Sequence, residues 1–214
     1  TGGSSDSDRT IALAAAELNA GAFSGALTNA PSLVDGAIYT LRFNGTDSDG
    51  NNATAVEVTS ITFDTSAPGL SSVTITSNNS TTTLAKSGDV ITVSFTSDEA
   101  IATPNVSIAG QSAAVTNVSS STNWTASYTA DGTTTEGTAA INIAFADLAG
   151  NSGTTVTAVM SGSNVTVDTS APTISAIGTG DFSWGAYLNA TEDNSNGTVT
   201  ITTSGAEDNQ TVTI

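Results

Sequence analysis

Phe63-Asp64-Thr65-Ser66-Ala67-Pro68 and Val167-Asp168-Thr169-Ser170-Ala171-Pro172 are two copies of one hexapeptide pattern in a single chain. Each follows a β-rich run and precedes another. Proline removes a backbone donor and fixes φ, so a hydrogen-bonded ladder is hard to carry through it. The pattern therefore reads as a last strand, a joint, and the first strand of a new unit. The two joints lie about a hundred residues apart, room for one modest hydrophobic core between them.

Working outward, residues 69–172 carry the signals of a whole unit. Val90-Ile91-Thr92-Val93-Ser94-Phe95 alternates in hydropathy and predicts a half-buried strand. A turn at Lys86-Ser87-Gly88-Asp89 precedes it. Further strands are expected at 73–76, 106–108, 113–115, 124–128 and 140–145, with a broken last strand over 155–159 and 165–167. A turn is expected at Gly110-Gln111. About seven short strands separated by turn residues predict an antiparallel sandwich. Phe95, Trp124 and Phe145 are its expected core anchors.

The two ends are expected to be parts of a second sandwich. Residues 1–68 hold its C-terminal part, with strands at 38–43 and 55–63. Residues 173–214 hold its N-terminal strands, with a turn at 192–197, a strand at 199–202 and another at 211–214. A short helical turn is expected at 14–21. The chain then reads as a two-unit repeat in circular permutation, its split unit completed by the next copy, covalently or by strand donation. Its start at Thr1 without Met fits an excised or processed piece.

Composition narrows the function. The chain has 20 Asp and Glu against 3 Lys and Arg, a net charge of -17. That balance opposes nucleic acid, which needs basic side chains to displace counterions, and anionic membrane surfaces. It favours cations. The absence of His and Cys excludes imidazole and thiolate chemistry, including zinc sites and histidine-based triads. No apolar run is long enough to span a bilayer. Catalysis is not expected.

In a sandwich of this topology, two loops return to the pole where a joint arrives. In the central unit these loops hold Asp98-Glu99 and Asp147-Leu148-Ala149-Gly150-Asn151, and the joint brings Asp64. The matching set in the split unit is Asp168, Glu207-Asp208 and Asp47-Ser48-Asp49-Gly50-Asn51. The candidate metal ligands are thus Asp47, Asp49, Asn51, Asp64, Asp98, Glu99, Asp147, Asn151, Asp168, Glu207 and Asp208. Clustered carboxylates with no basic partner repel unless a cation intervenes. Oxygen-only ligands at irregular geometry suit Ca²⁺ better than Mg²⁺. The plainer alternative is that these residues only form turns and cap strands. Weaker candidates are Glu192 with Asp193, and Asp131 with Glu136.

The Asp-Thr-Ser-Ala-Pro joints, the Asp-x-x-Gly-Asn loops and the run Glu207-Asp208-Asn209-Gln210-Thr211-Val212 resemble the bacterial immunoglobulin-like repeats of very large surface adhesins, of the biofilm-associated and RTX types. The resemblance covers nearly the whole chain. It implies tandem antiparallel immunoglobulin-like β-sandwiches, one complete and one split between the chain ends. It also implies an extracellular or cell-surface spacer, stiffened by calcium and joined head to tail to copies of itself. Trp184-Gly185-Ala186-Tyr187 departs from the pattern. It is the candidate platform for the alternative function, a glycan- or surface-binding adhesin module.

Overall fold

A computed structural model describes residues 32–46, 49–174, 177–178, 181–187, 189–191 and 197–206. These residues form an all-β sandwich-type fold with no α-helix among them. The expected helical turn at 14–21, residues 192–196 of the turn expected at 192–197, and the strand at 211–214 lie outside the described residues.

The first two strands are β1 (Ile38–Phe43) and β2 (Val56–Thr62). They pair antiparallel, with a register shift where Ser60 takes a positive φ of 63°. The loop that joins them carries Asp49 and Asn51. Every residue of β2 is exposed, and Ile38, Leu41, Val56 and Val58 present apolar side chains to solvent.

The buried core belongs to the segment that follows. Strands β3 (Leu70–Ser77), β4 (Leu84–Ala85), β5 (Val90–Ser97), β6 (Asn105–Ile108), β7 (Gln111–Ser112), β8 (Ala114–Ser119) and β9 (Asn123–Thr129) come first. Then come β10 (Gly137–Thr138), β11 (Ile141–Ala144) and β12 (Thr166–Val167). One sheet has the order β3-β5-β9-β8. Facing it are β11-β6-β7 and β10-β12-β4, the last pair being parallel where β12 meets β4. A short ladder of β13 (Thr173–Ile174) and β14 (Thr203–Ser204) follows the second joint.

Alternation explains the packing. In β5, Ile91, Val93 and Phe95 point inward while Thr92, Ser94 and Thr96 line the other face. Val73 and Ile75 join them from β3, and Ala126 and Trp124 from β9. The opposing layer supplies Val106, Ile108, Ile141, Ile143, Val165 and Val167. Each such side chain stabilises by roughly 1.5–3 kcal/mol through burial. Phe95, Trp124 and Phe145 are all buried, as expected of anchors. The Trp124 indole N–H donates to the Ser121 carbonyl at 3.1 Å, so its one polar atom is satisfied.

Some expectations need correction. The strand returning across the Ala109-Gly110 turn is the two-residue β7, whereas 114–119 crosses to the edge of the other sheet. The last strand is reduced to a bridge at Val156 and to β12. The strand expected at 199–202 amounts to a bridge between Phe182 and Val199, with the ladder itself starting at Thr203.

The β8–β9 turn holds avoidable strain. Ser120 and Ser121 have φ of 56° and 53°, and Thr122 N–H donates to the Ser119 carbonyl at 3.3 Å. That is a type I′ turn, which favours Asn-Gly. The double change Ser120→Asn, Ser121→Gly is expected to stabilise by about 0.5–1 kcal/mol in urea melts, with an unchanged slope.

Candidate cation site at the first joint

Three chain segments meet where the first joint enters the sandwich. Asp64 belongs to the joint, Glu99 to the loop after β5, and Asp147 to the loop after β11. Ladder geometry forces the meeting. An isolated bridge pairs Ile101 with Asp147, and Ala102 N–H donates to the Ala146 carbonyl at 3.0 Å. These contacts draw the two loops edge to edge.

The 147–151 loop is closed by its own acid. Asp147 is 3% exposed. Its Oδ1 accepts N–H bonds from Gly150 at 2.6 Å and Asn151 at 2.8 Å, and its Oδ2 accepts from Asn151 Nδ2 at 2.7 Å. Gly150 has φ of 102°, a conformation that costs other residues strain. Asn151 Nδ2 also donates to the Asp64 carbonyl at 3.1 Å, which latches the loop to the joint.

One carboxylate oxygen from each of Asp64, Glu99 and Asp147 lies within 4.8 Å of the others. Two oxygens bound to one calcium at about 2.3–2.6 Å can be no more than about 5 Å apart, so the spread fits a shared hard cation. Asp98 is placed differently. Its Oδ1 accepts the Gly69 N–H at 2.8 Å and it sits outside that trio. Both acids lie in the bend that follows β5, and it is Glu99 that joins the trio while Asp98 is held by Gly69.

The electrostatics agree with the crowding. The Glu99 carboxyl is held above its ordinary value, first by partial burial, then by the charges of Asp64, Asp147, Asp98 and Asp35. Burial also works against ionised Asp147, but hydrogen bonds from Asn151 and Gly150 outweigh it and lower its value. No basic side chain relieves the cluster among the described residues. Arg42 lies 3.5 Å from Glu57, and Lys86 lies 3.6 Å from Asp89.

The remaining predicted ligands divide into two groups. Asp47, Glu207 and Asp208 lie outside the described residues, as do Glu192 and Asp193. Asp49 and Asn51 sit in a loop built like that of Asp147. A bridge from Thr46 to Asn52 closes it, as one from Ala146 to Ser152 closes the other. Ala53 N–H donates to the Gly45 carbonyl as Gly153 N–H donates to that of Phe145. Gly50 has φ of 89° where Gly150 has 102°. Asp168 occupies the second joint as Asp64 does the first. Each accepts, at 3.0 Å, the N–H of the Ser two residues on.

Two acids have roles the sequence did not disclose. Asp35 accepts hydrogen bonds from Thr65 and Ser66 of the first joint, and Glu136 from Thr169 and Ser170 of the second. The signal in the sequence was that each precedes a glycine and a strand pairing with the last strand of its unit. Asp131 instead closes its own turn, accepting from Thr133 at 2.8 Å. In the stretch that departs from the repeat pattern, the Trp184 ring stacks on Phe182 with centroids 5.4 Å apart. It also covers Gly197, where a Cβ would fall 1.5 Å from the ring. Tyr187 is 87% exposed.

Comparison with protein-family models, with curated proteins and with solved structures finds no match.

Proposed function

We propose that the chain is a structural, non-catalytic spacer or fibre module of a surface adhesin or filament, whose joints are stiffened by Ca²⁺. The observation that carries this is the convergence of Asp64, from a joint, with Glu99 and Asp147, from the unit that the joint enters. A cation there ties the joint to the next sandwich and leaves the hydrophobic core untouched. Asp147 and Asn151 organise the loop, Asp64 and Glu99 complete the charge, and Asp98 holds Gly69 at the entry.

In this reading residues 69–172 are one complete immunoglobulin-like unit. Residues 1–68 and 173–214 are parts of a second, completed by a neighbouring copy. The exposed apolar side chains of β1 and β2 support that reading, since a sheet face carrying Leu41, Val56, Val58 and Ile61 calls for a cover. The likeness of the Thr46–Asn52 loop to the 146–152 loop supports a second site of the same design. It would be built from Asp168, Glu207 and Asp208 of one copy with Asp47, Asp49 and Asn51 of the next. Its partners are copies of the same chain in an extracellular, cell-surface array.

The glycan-binding alternative gains little, because Trp184 is engaged with Phe182 and Gly197. Extracellular calcium modules bind with dissociation constants of roughly 10⁻⁴ to 10⁻³ M. Millimolar calcium would then add about 1–2 kcal/mol per site by linkage. Titration with calcium, followed by chelation, tests the proposal.

A further inference from the structure

We infer that Asp35 and Glu136 are equivalent joint clamps, each fixing the path of the chain out of its sandwich through three hydrogen bonds and without any cation. At the first joint, Asp35 Oδ1 accepts from Thr65 N at 2.6 Å and Thr65 Oγ1 at 2.8 Å, and Oδ2 accepts from Ser66 Oγ at 2.8 Å. At the second, Glu136 Oε1 accepts from Thr169 N at 3.3 Å, Thr169 Oγ1 at 3.1 Å and Ser170 Oγ at 2.6 Å. The same three donors meet a carboxylate in both places, though one acid is Asp and the other Glu.

The scaffold beneath the two acids is also shared. Gly36 N–H donates to the Phe63 carbonyl, and Gly137 pairs with Val167, so each acid precedes a glycine paired to the residue just before its joint. Both glycines have positive φ, 73° and 93°. That turn leads each acid back over the departing chain.

Every position of the repeated pentapeptide then has a task. Asp64 and Asp168 close a turn onto the Ser N–H. Thr contributes an amide and a hydroxyl to the clamp, and Ser contributes a hydroxyl. Ala and Pro carry the chain onward, and Pro stops the ladder. Three bonds to one carboxylate restrict both the torsions and the direction of the joint, and charge-assisted bonds of this kind are stronger than neutral ones. This goes beyond the cation reading and does not depend on it.

The test is run in EDTA on the full chain. Asp35→Ala is expected to speed amide hydrogen exchange at Thr65 roughly tenfold and leave Thr169 unchanged, and Glu136→Ala to do the reverse. The chain has no Cys, so spin labels can be placed through Thr59→Cys and Thr129→Cys, two exposed sites on either side of the first joint. Asp35→Ala should broaden their distance distribution, and Glu136→Ala should not. The donor-side variant Thr65→Val, Ser66→Ala should broaden it as much, with no further change when combined with Asp35→Ala. That variant carries the test if Asp35→Ala fails to fold. Unchanged Thr65 exchange and an unchanged distribution in Asp35→Ala would overturn the clamp, as would additive broadening by the two sets. If calcium had no effect but Asp35→Ala still broadened the distribution, the clamp would stand and the cation reading would fall.

Discussion

Gly153→Ala is expected to destabilise the central sandwich by about 2–3 kcal/mol, the upper part of the range for overpacking a filled core. A Cβ at this position would lie 2.2 Å from Phe145 Cε2, 2.6 Å from its Cζ and 2.7 Å from the Pro68 carbonyl oxygen. Phe145 is a buried anchor, so its ring cannot swing aside without opening the core. Pro68 belongs to the first joint, so its backbone cannot retreat without moving Asp64. The melting temperature should fall by roughly 10 °C for a unit of this size. Gly132 is the control, because nothing lies within 4 Å of the place its methyl group would take. Gly132→Ala should stay within about 0.5 kcal/mol of wild type. If Gly153→Ala melted with wild type, the packing of Phe145 on the joint would be wrong.

Glu99→Gln is expected to change stability with opposite signs in two buffers. Partial burial and the neighbouring carboxylates hold the Glu99 carboxyl above its ordinary value of 4.5. A carboxyl raised by folding favours the folded state where it is protonated, and opposes it as pH rises through the raised value. At pH 7 without cation, the ionised group therefore opposes folding, and Glu99→Gln should raise the melting temperature. That gain should vanish near pH 4, where wild type carries the proton itself. In saturating calcium the same variant should melt below wild type, because it has lost a charged ligand. Its calcium affinity should fall roughly tenfold or more. Melts in EDTA and in calcium at pH 4 and pH 7 make the check. A variant that melted below wild type in both buffers at pH 7 would mean that Glu99 serves packing or hydrogen bonding.

The acids held below their ordinary values act at the other end of the scale. Asp35 is lowered chiefly by the Thr65 amide, and Glu136 chiefly by the Ser170 hydroxyl. Both contribute stability that is present near neutral pH and lost as pH falls below about 4.

The central sandwich was legible because alternation over 90–95 is long and unbroken, and because Trp124, Phe95 and Phe145 have few other uses in so polar a chain. The sheet switch between β7 and β8 was not. A two-residue strand has no period to read, and Ala113 hydrogen-bonds back to Val106 before the chain crosses. At the site, the joint repeat and the Asp-x-x-Gly-Asn loop pointed to Asp64, Asp147 and Asn151. The choice between Asp98 and Glu99 depends on how the bend after β5 turns each of them, and two adjacent acids do not disclose it. Asp35 escaped notice, and Glu136 was read only as a weak candidate cation ligand, because an acid before glycine also reads as an ordinary turn. Their partners lie some thirty residues away, and only the fold brings them together.

The most direct measurement is a calorimetric calcium titration of the full chain beside Asp64→Ala, each followed by a melt with and without EGTA. Binding at the first joint should appear in wild type at roughly 10⁻⁴ to 10⁻³ M and raise the melting temperature. Asp64→Ala should lose that binding while folding to the same sandwich. No calcium heat in wild type, together with melts that EGTA leaves unchanged, would contradict a cation-stiffened joint.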